Sequence, residues 1–335
     1  MKPCMCRGLL STANFLFDPL GFVAPVVLKA RCIHHSLCQQ EIEWNEPMPE
    51  RELRKWEMWL ASLSQLQHVA IPRCLGLSSC GDMQRCQFHY FADVSITAYS
   101  VVCFLHSVDN KNNIVCSFIM SKSHLAPLDK VSVSSLELMA AVLAIKLEMM
   151  VKKELRLDLR PSIFWTDSSI VLLSVRNDRK RFPMFVSRRL ALICKHTRVA
   201  NWEHVPSDQN PADLLSRGAT AEVLDKTKMW LNGPDFLSKE PAAWPKKFID
   251  CDGEVPLEVS DRCKMVNTLS AVTDCTPTEC LLNQYFKSLQ IKDCYRMVQK
   301  VSSVLEEQNV QSLLKTPHNP LTVAELREAE VSWVK

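Results

Sequence analysis

The sequence predicts a mixed α/β domain over residues 85–218, and three features predict it. Runs rich in Phe, Val, Tyr and Ile recur at strand length, helical runs fall between the later ones, and turn residues separate them. Residues 87–93 and 98–106 alternate and read as strands, and 114–121 as a third after a turn at 109–113. Residues 134–151 form a long amphipathic helix, opened by Ser134 and Ser135 with Glu137 in its first turn. A short buried strand (163–166), helices at 168–175 and 182–196, a strand at 199–205 and a final short helix at 210–216 complete the order. Five strands flanked by helices result.

The flanking regions are expected to be helical. In residues 50–66, Leu53, Trp56, Trp59, Leu60 and Leu63 recur at three- and four-residue spacing, which marks one buried helix face. Residues 1–70 are read as one unit and 71–84 as a linker. Residues 219–335 are read as a mostly helical spacer, with helices at 277–290, 292–307 and 321–333 after a loop marked by Gly233-Pro234, Pro241 and Pro245.

Composition narrows the class. The chain has 335 residues, 47% hydrophobic and 23% charged, which fits a globular protein and neither a disordered nor a membranous one. Net charge is +3, but residues 85–218 hold 18 Lys and Arg against 12 Asp and Glu, a local excess that suits a polyanionic partner. Fifteen cysteines lack a paired framework or zinc-finger spacing, so free thiols in the cytosol or nucleus are expected. The apolar run at 8–28 is interrupted by Asp18-Pro19 and Gly21, so neither an export signal nor a membrane span is expected.

Four carboxylates stand where such a fold brings elements together. Asp93 ends the first strand in Phe91-Ala92-Asp93-Val94-Ser95, and Glu137 lies in the first long helix. Asp167 ends the fourth strand in Phe164-Trp165-Thr166-Asp167-Ser168, and Asp213 opens the last helix in Asn210-Pro211-Ala212-Asp213. Each sits among apolar neighbours, where a lone carboxylate is costly. Convergent carboxylates repel unless cations neutralise them, and Mg²⁺ prefers oxygen ligands. Two ions about 4 Å apart activate a water and stabilise the leaving oxygen of a phosphodiester. Singly, each acid has a plainer role: Asp167 and Asp213 as helix N-caps, Glu137 as a residue favoured near a helix N-terminus.

The chain resembles the Pao (BEL) family of long-terminal-repeat retrotransposon polyproteins over roughly residues 8–235. The resemblance is carried by Leu10-Ser11 through Phe17-Asp18-Pro19-Leu20-Gly21, Ile71-Pro72-Arg73-Cys74, Phe164-Trp165-Thr166-Asp167-Ser168 and Asn210-Pro211-Ala212-Asp213 through Ser216-Arg217-Gly218. It implies a ribonuclease H-like domain at 85–218 with a mixed five-stranded sheet. It further implies that 1–70 is the distal end of a reverse transcriptase, and that Pro320-Leu321-Thr322-Val323-Ala324-Glu325-Leu326 leads toward an integrase. Asp93, Glu137, Asp167 and Asp213 then become the ligands of two Mg²⁺ ions, with Mn²⁺ as the alternative metal. The sequence departs from the family where Asp-Ala-Ser reads Asp93-Val94-Ser95, Ala-Tyr-Gly reads Ala98-Tyr99-Ser100, and a Pro-Arg pair before the helix glutamate reads Ser134-Ser135.

Binding and catalysis are approached through basic residues and histidine. Arg176, Arg179, Lys180, Arg181, Arg188, Arg189, Lys195 and Arg198 form a stripe suited to the phosphates of an RNA–DNA hybrid, or simply a solvated face. The loop before the last acid, Pro206-Ser207-Asp208-Gln209-Asn210, has no histidine, and His204 lies earlier, where packing or substrate contact is the expected role. The chain has neither a Tyr-x-Asp-Asp polymerase motif nor the zinc and acidic motifs of an integrase, so it reads as a polyprotein fragment. The leading expectation is a Mg²⁺-dependent ribonuclease acting on hybrids, with other polyprotein parts as further partners. The alternative is a catalytically silent remnant that binds nucleic acid or a protein. A proofreading exonuclease on the same fold ranks last, because Asp93-Val94-Ser95 lacks the Asp-x-Glu of that class.

Overall fold

A computed structural model describes residues 5–71, 85–109, 111–129, 131–155, 160–177 and 182–245. Arg179, Lys180, Arg181, most of the expected linker and the helices expected beyond residue 277 lie outside the described residues.

The centre is a five-stranded mixed sheet flanked by helices, the mixed α/β architecture that was expected. Strands β1 (Arg85–Val94), β2 (Ala98–Val108) and β3 (Ile114–Leu125) form an antiparallel meander, and β4 (Arg160–Thr166) and β5 (Trp202–His204) add in parallel, giving the order β3-β2-β1-β4-β5. Alternation along each strand sends side chains to opposite faces. Phe88, Tyr90, Val101, Cys103, Leu105 and Phe164 meet α4 (Val133–Glu154), α5 (Ser169–Arg176) and α6 (Met184–His196) on one face.

The other face is covered from both ends of the described chain. Phe91, Val102, Phe104, Phe118 and Trp165 share one core with α1 (Cys6–Phe15), α2 (Ala24–Gln39) and α3 (Glu50–Ser62), and with α7 (Pro211–Arg217), α8 (Ala221–Lys226) and α9 (Lys228–Asn232). The expected divisions at residues 70, 85 and 218 therefore do not separate cores. Trp56 and Trp59 stack at 4.7 Å and are buried, and the Trp59 indole donates to Val26 O at 2.8 Å; Trp44 is exposed.

The docking of the N-terminal segment is specific. Asp18 accepts hydrogen bonds from the backbone N–H groups of Gly21, Phe22 and Val23, which closes a turn. That turn adds to the edge of β3: Ser121 N–H donates to Leu20 O, and Ser121 Oγ donates to Gly21 O, both at 2.8 Å. Gly21 has φ +81°, and a Cβ there would stand 2.6 Å from Ser121 O, so both conformation and space call for glycine.

Three expected boundaries move. Helix α4 starts at Val133 because Ser132, in extended conformation, is the residue whose Oγ accepts from Ser135 N–H; Ser134 and Ser135 do not open it, and Glu137 falls beyond the first turn. Helix α6 starts at Met184, since Pro183 holds Phe182 out of helical conformation. The strand expected at 199–205 shrinks to Trp202–His204, because Asn201 Oδ1 accepts from Arg198 N–H and closes a 3₁₀ turn before it. Among the described residues, no helix is long and apolar enough to cross a membrane.

Candidate active site

Parallel pairing sets the first two acids side by side. Ala92 is in register with Thr166, so Asp93 and Asp167 leave the carboxyl ends of adjacent central strands together. Glu137 reaches the same end from the second turn of α4. Ser168, which follows Asp167, donates its hydroxyl to Glu137 Oε2 at 2.5 Å while capping α5. Asp213 arrives on α7.

Helix α7 is clamped to the sheet beneath the site. Asn210 caps it by accepting from Ala212 N–H, and its amide donates to Ala92 O at 3.1 Å and to Asp93 Oδ1 at 3.4 Å. Ser216 Oγ donates to Asp93 Oδ2, Ser95 Oγ to Ser216 O at 2.6 Å, and Ser100 Oγ to Ala212 O at 2.9 Å. The plainer roles of two acids fall away here. Ser168 and Asn210 are the caps of α5 and α7, so neither Asp167 nor Asp213 is needed for that purpose. Glu137, past the first turn of α4, gains little from the helix dipole.

Electrostatics tie the four together. Burial pushes the Asp93 carboxyl up to about 7, the neighbouring Asp167 and Asp213 charges push the same way, and Ser216 and Arg217 oppose them. Burial also raises Glu137, with Asp167 adding to the rise and the Ser168 hydroxyl countering it. Arg217 Nε meets Asp213 Oδ1 at 2.5 Å, and the guanidinium is held more firmly charged by Asp213 first, then by Asp93 and Asp167. Ser207 Oγ donates to Asp167 Oδ2 at 2.7 Å.

The donors are all oxygen, the type a hard divalent cation takes, and together they carry more negative charge than the nearby guanidinium offsets. The carboxylates engage serine, asparagine and arginine partners, and among the described residues no three His, Cys, Asp or Glu side chains form a group that could hold a metal ion. The sequence reading missed these partners (Ser168, Ser207, Asn210, Ser216 and Arg217) and Ser95, which holds the carbonyl of Ser216. Apart from Ser207, each stands one to four positions from Asp93, Asp167 or Asp213, and that proximity was the signal.

The basic stripe divides. Arg176 ends α5 half-buried, and Arg188 is exposed on α6. Arg189 is half-buried, its guanidinium 3.3 Å from the centroid of the Phe185 ring and its Nη1 donating to Phe185 O, so part of its role is to hold α6. His204 pairs with Thr166 across β4 and β5, at the same sheet end as Asp167.

Solved structures similar to the chain include the RNase H1 of the halophilic archaeon Halobacterium salinarum NRC-1, at 15% identity, covering 43% of this chain and 100% of that one, with a TM-score of 0.27. Another is LC11-RNase H1 in complex with an RNA/DNA hybrid, at 18% identity, 42% and 98% coverage and a TM-score of 0.27. No curated protein matches the sequence. A family model does match residues 6–168, a stretch that takes in the N-terminal helices and Asp93, Glu137 and Asp167 but stops short of α7. That match, to the Pao retrotransposon-like RNaseH-like domain, supports reading the segment as a Pao retrotransposon RNase H domain.

Proposed function

We propose that this chain is a divalent-metal-dependent endoribonuclease that cleaves the RNA strand of RNA–DNA hybrids, and that it derives from a retrotransposon polyprotein. The observation that carries the reading is the placement of Asp93, Glu137, Asp167 and Asp213 at one end of the sheet, where burial, with the Asp167 and Asp213 charges adding to it, lifts Asp93 to about 7. Such repulsion is destabilising by itself, and a cation site is the arrangement that relieves it.

Asp93, Glu137, Asp167 and Asp213 would hold Mg²⁺ or Mn²⁺. When bound, a metal pair supplies an activated water and stabilises the departing oxygen of a phosphodiester. The chain's own residues do the rest. Asn210 and Ser216 fix the Asp93 carboxylate, Ser168 aims Glu137, and Ser207 holds one Asp167 oxygen. Asp213 is the most loosely held, one-third exposed on a short helix. Arg176 and Arg188, with Arg179, Lys180, Arg181 and part of Arg189, would track the phosphates of the hybrid, whose shape and 2′-hydroxyls are recognised more than its sequence.

A second reading is a silent remnant that binds nucleic acid or a protein partner. It is favoured by the hydrogen bonds and ion pair that already engage all four carboxylates, and by the altered Asp93-Val94-Ser95 and Ser134-Ser135 segments. The two are separated by incubating a labelled RNA–DNA hybrid with the full chain in Mg²⁺ or Mn²⁺, beside Asp93→Asn. The nuclease reading expects cleavage of the RNA strand that the variant lacks. Binding without cleavage in either metal selects the remnant.

A further inference from the structure

Two histidines lie buried on the sheet face that carries Phe91 and Phe104. His89 on β1 and His106 on β2 are diagonal neighbours there, because His89 pairs with Phe104 and Gln87 with His106. Their ring centroids are 5.5 Å apart and both side chains are buried. The Trp165 indole donates to His89 Nδ1 at 3.0 Å, so the neutral ring carries its proton on Nε2. Among the described residues, neither His89 Nε2 nor His106 Nε2 has a hydrogen-bond partner, which is rare for buried polar atoms.

A strap closes over them. Pro234, Pro241 and Pro245 keep the chain out of long helix, leaving two 3₁₀ turns, Asp235–Ser238 and Pro241–Ala243. Phe236 anchors the near end against Trp165, with ring centroids 5.0 Å apart. At the far end the Trp244 indole donates to Lys239 O at 3.1 Å, and its ring stands edge-on to His89 at 5.0 Å and to His106 at 5.7 Å. The backbone bonds of Lys239, Ala243 and Trp244 stay within the strap, so its far end rests on ring contacts.

Protonation is incompatible with that closure. An imidazolium donates from both nitrogens, so a charged His89 would turn an Nδ1–H against the Trp165 N–H and lose their bond. Two charged rings this close, away from water, would also repel. Burial holds both rings below the usual histidine range; His106 adds to the drop at His89, while at His106 Glu240 opposes it and Arg160 adds to it. Arg160 stands at the start of β4 and Glu240 on the strap, where Asp235 and Lys239 are exposed.

We propose that His89 and His106 form an acid-released catch for the strap: neutral, they let Trp244 close over them, and on taking up protons they part from it and reach water. Residues 239–245 are then held to the sheet at neutral pH and released in acid. The closed state binds fewer protons, so closure is complete above the ordinary histidine pKa of about 6.5 and weakens as pH falls below it.

The test is fluorine NMR of the full chain labelled with 5-fluorotryptophan, the Trp244 signal being assigned by its loss in Trp244→Phe. As pH falls from about 7.5 to about 5, that signal should move to the position of a solvated indole while those of Trp56, Trp59 and Trp230 stay in place. Two histidines titrating together should shift the equilibrium toward release on the order of hundredfold between about pH 6.5 and about pH 5. His106→Gln, which stays polar without charge, should reduce this to on the order of tenfold. Glu240→Gln, at an exposed position, should move release to higher pH, because the closed pair loses the carboxylate that helps it hold a proton. A Trp244 signal that stays closed throughout overturns the catch. So does release in His106→Gln as steep as in wild type, or release in Glu240→Gln at an unchanged or lower pH, since another group then drives it. Movement of every tryptophan signal together is unfolding of the whole chain and overturns a local catch.

Discussion

Replacing Gly21 by alanine is the sharpest test of whether the N-terminal segment belongs to the same folded unit as the sheet. Gly21 sits in left-handed conformation, which costs a non-glycine residue about 1–2 kcal/mol. The added Cβ would stand 2.6 Å from Ser121 O, forcing the turn off β3 and breaking the two hydrogen bonds that Ser121 makes to Leu20 and Gly21. At about 0.5–1.5 kcal/mol each, those bonds bring the expected loss to roughly 2–5 kcal/mol. Gly8 is the internal control: it lies within α1 with nothing near its missing Cβ, so alanine there should stabilise by up to about 1 kcal/mol. Urea unfolding followed by tryptophan fluorescence reads both, because Trp56 and Trp59 report the helical layer and Trp165 the sheet. A Gly21→Ala loss no larger than 0.5 kcal/mol, or one that loosens the helices while Trp165 reports an unchanged sheet, would refute the reasoning.

Three further perturbations follow from the site and its support. In EDTA, Asp93→Asn should be more stable than wild type at high pH, and the advantage should grow as pH rises from about 4 to about 7. The sign follows from the raised folded value: the neutral Asp93 stabilises below the unfolded pKa, and that stability is lost as the group ionises at about 7. Thermal scans showing a constant difference across that window would contradict it, and added Mg²⁺ should shrink the high-pH advantage. Asn210→Ala removes the cap of α7 and leaves Ala92 O without its side-chain donor, so a loss of about 2–4 kcal/mol is expected in urea; a variant within 0.5 kcal/mol of wild type would show that the clamp is dispensable. Deleting residues 1–71 uncovers Phe91, Phe104, Phe118 and Trp165, so the remaining chain should bind the dye ANS and lose its cooperative transition. A dye-silent, cooperatively folding product would mean that the sheet does not need that layer.

Much of the sheet was legible in the sequence, and the reason is local. Alternation at 87–93 and 98–106 and the apolar 163–166 run record which residues are buried, and those strands exist with boundaries only a few residues wider. The acids stand out in the sequence because each lies among apolar neighbours, Asp93 and Asp167 at strand ends. Caps were harder: Ser132, Ser134 and Ser135 are chemically alike, and only backbone conformation selects Ser132. Hidden most deeply was the partner of the buried face of α3. Periodicity told that Trp56 and Trp59 point inward, but the carbonyl of Val26 and the shared core with Trp165 come from distant chain, and no local pattern encodes them. The same is true of Ser216, whose hydroxyl is an ordinary helix residue until the fold brings Asp93 beside it.

The long span of these contacts has a consequence for how the molecule is made. The Trp230 indole donates to Phe22 O, and Ala219 N–H to Pro25 O, so the segment that enters α2 is fastened by residues some two hundred positions later. At about 5–20 residues per second, the interval is on the order of ten seconds or more. Until β1–β3 are made, the inward faces of α1–α3 have no sheet to lie on, and once β4 has followed, Asp93 waits beside Asp167 without Asn210 or Ser216. A chain halted before α7 would therefore hold three of the four acids but lack the clamp that orders them. The nascent protein would be an unshielded apolar surface first and a finished charged centre last.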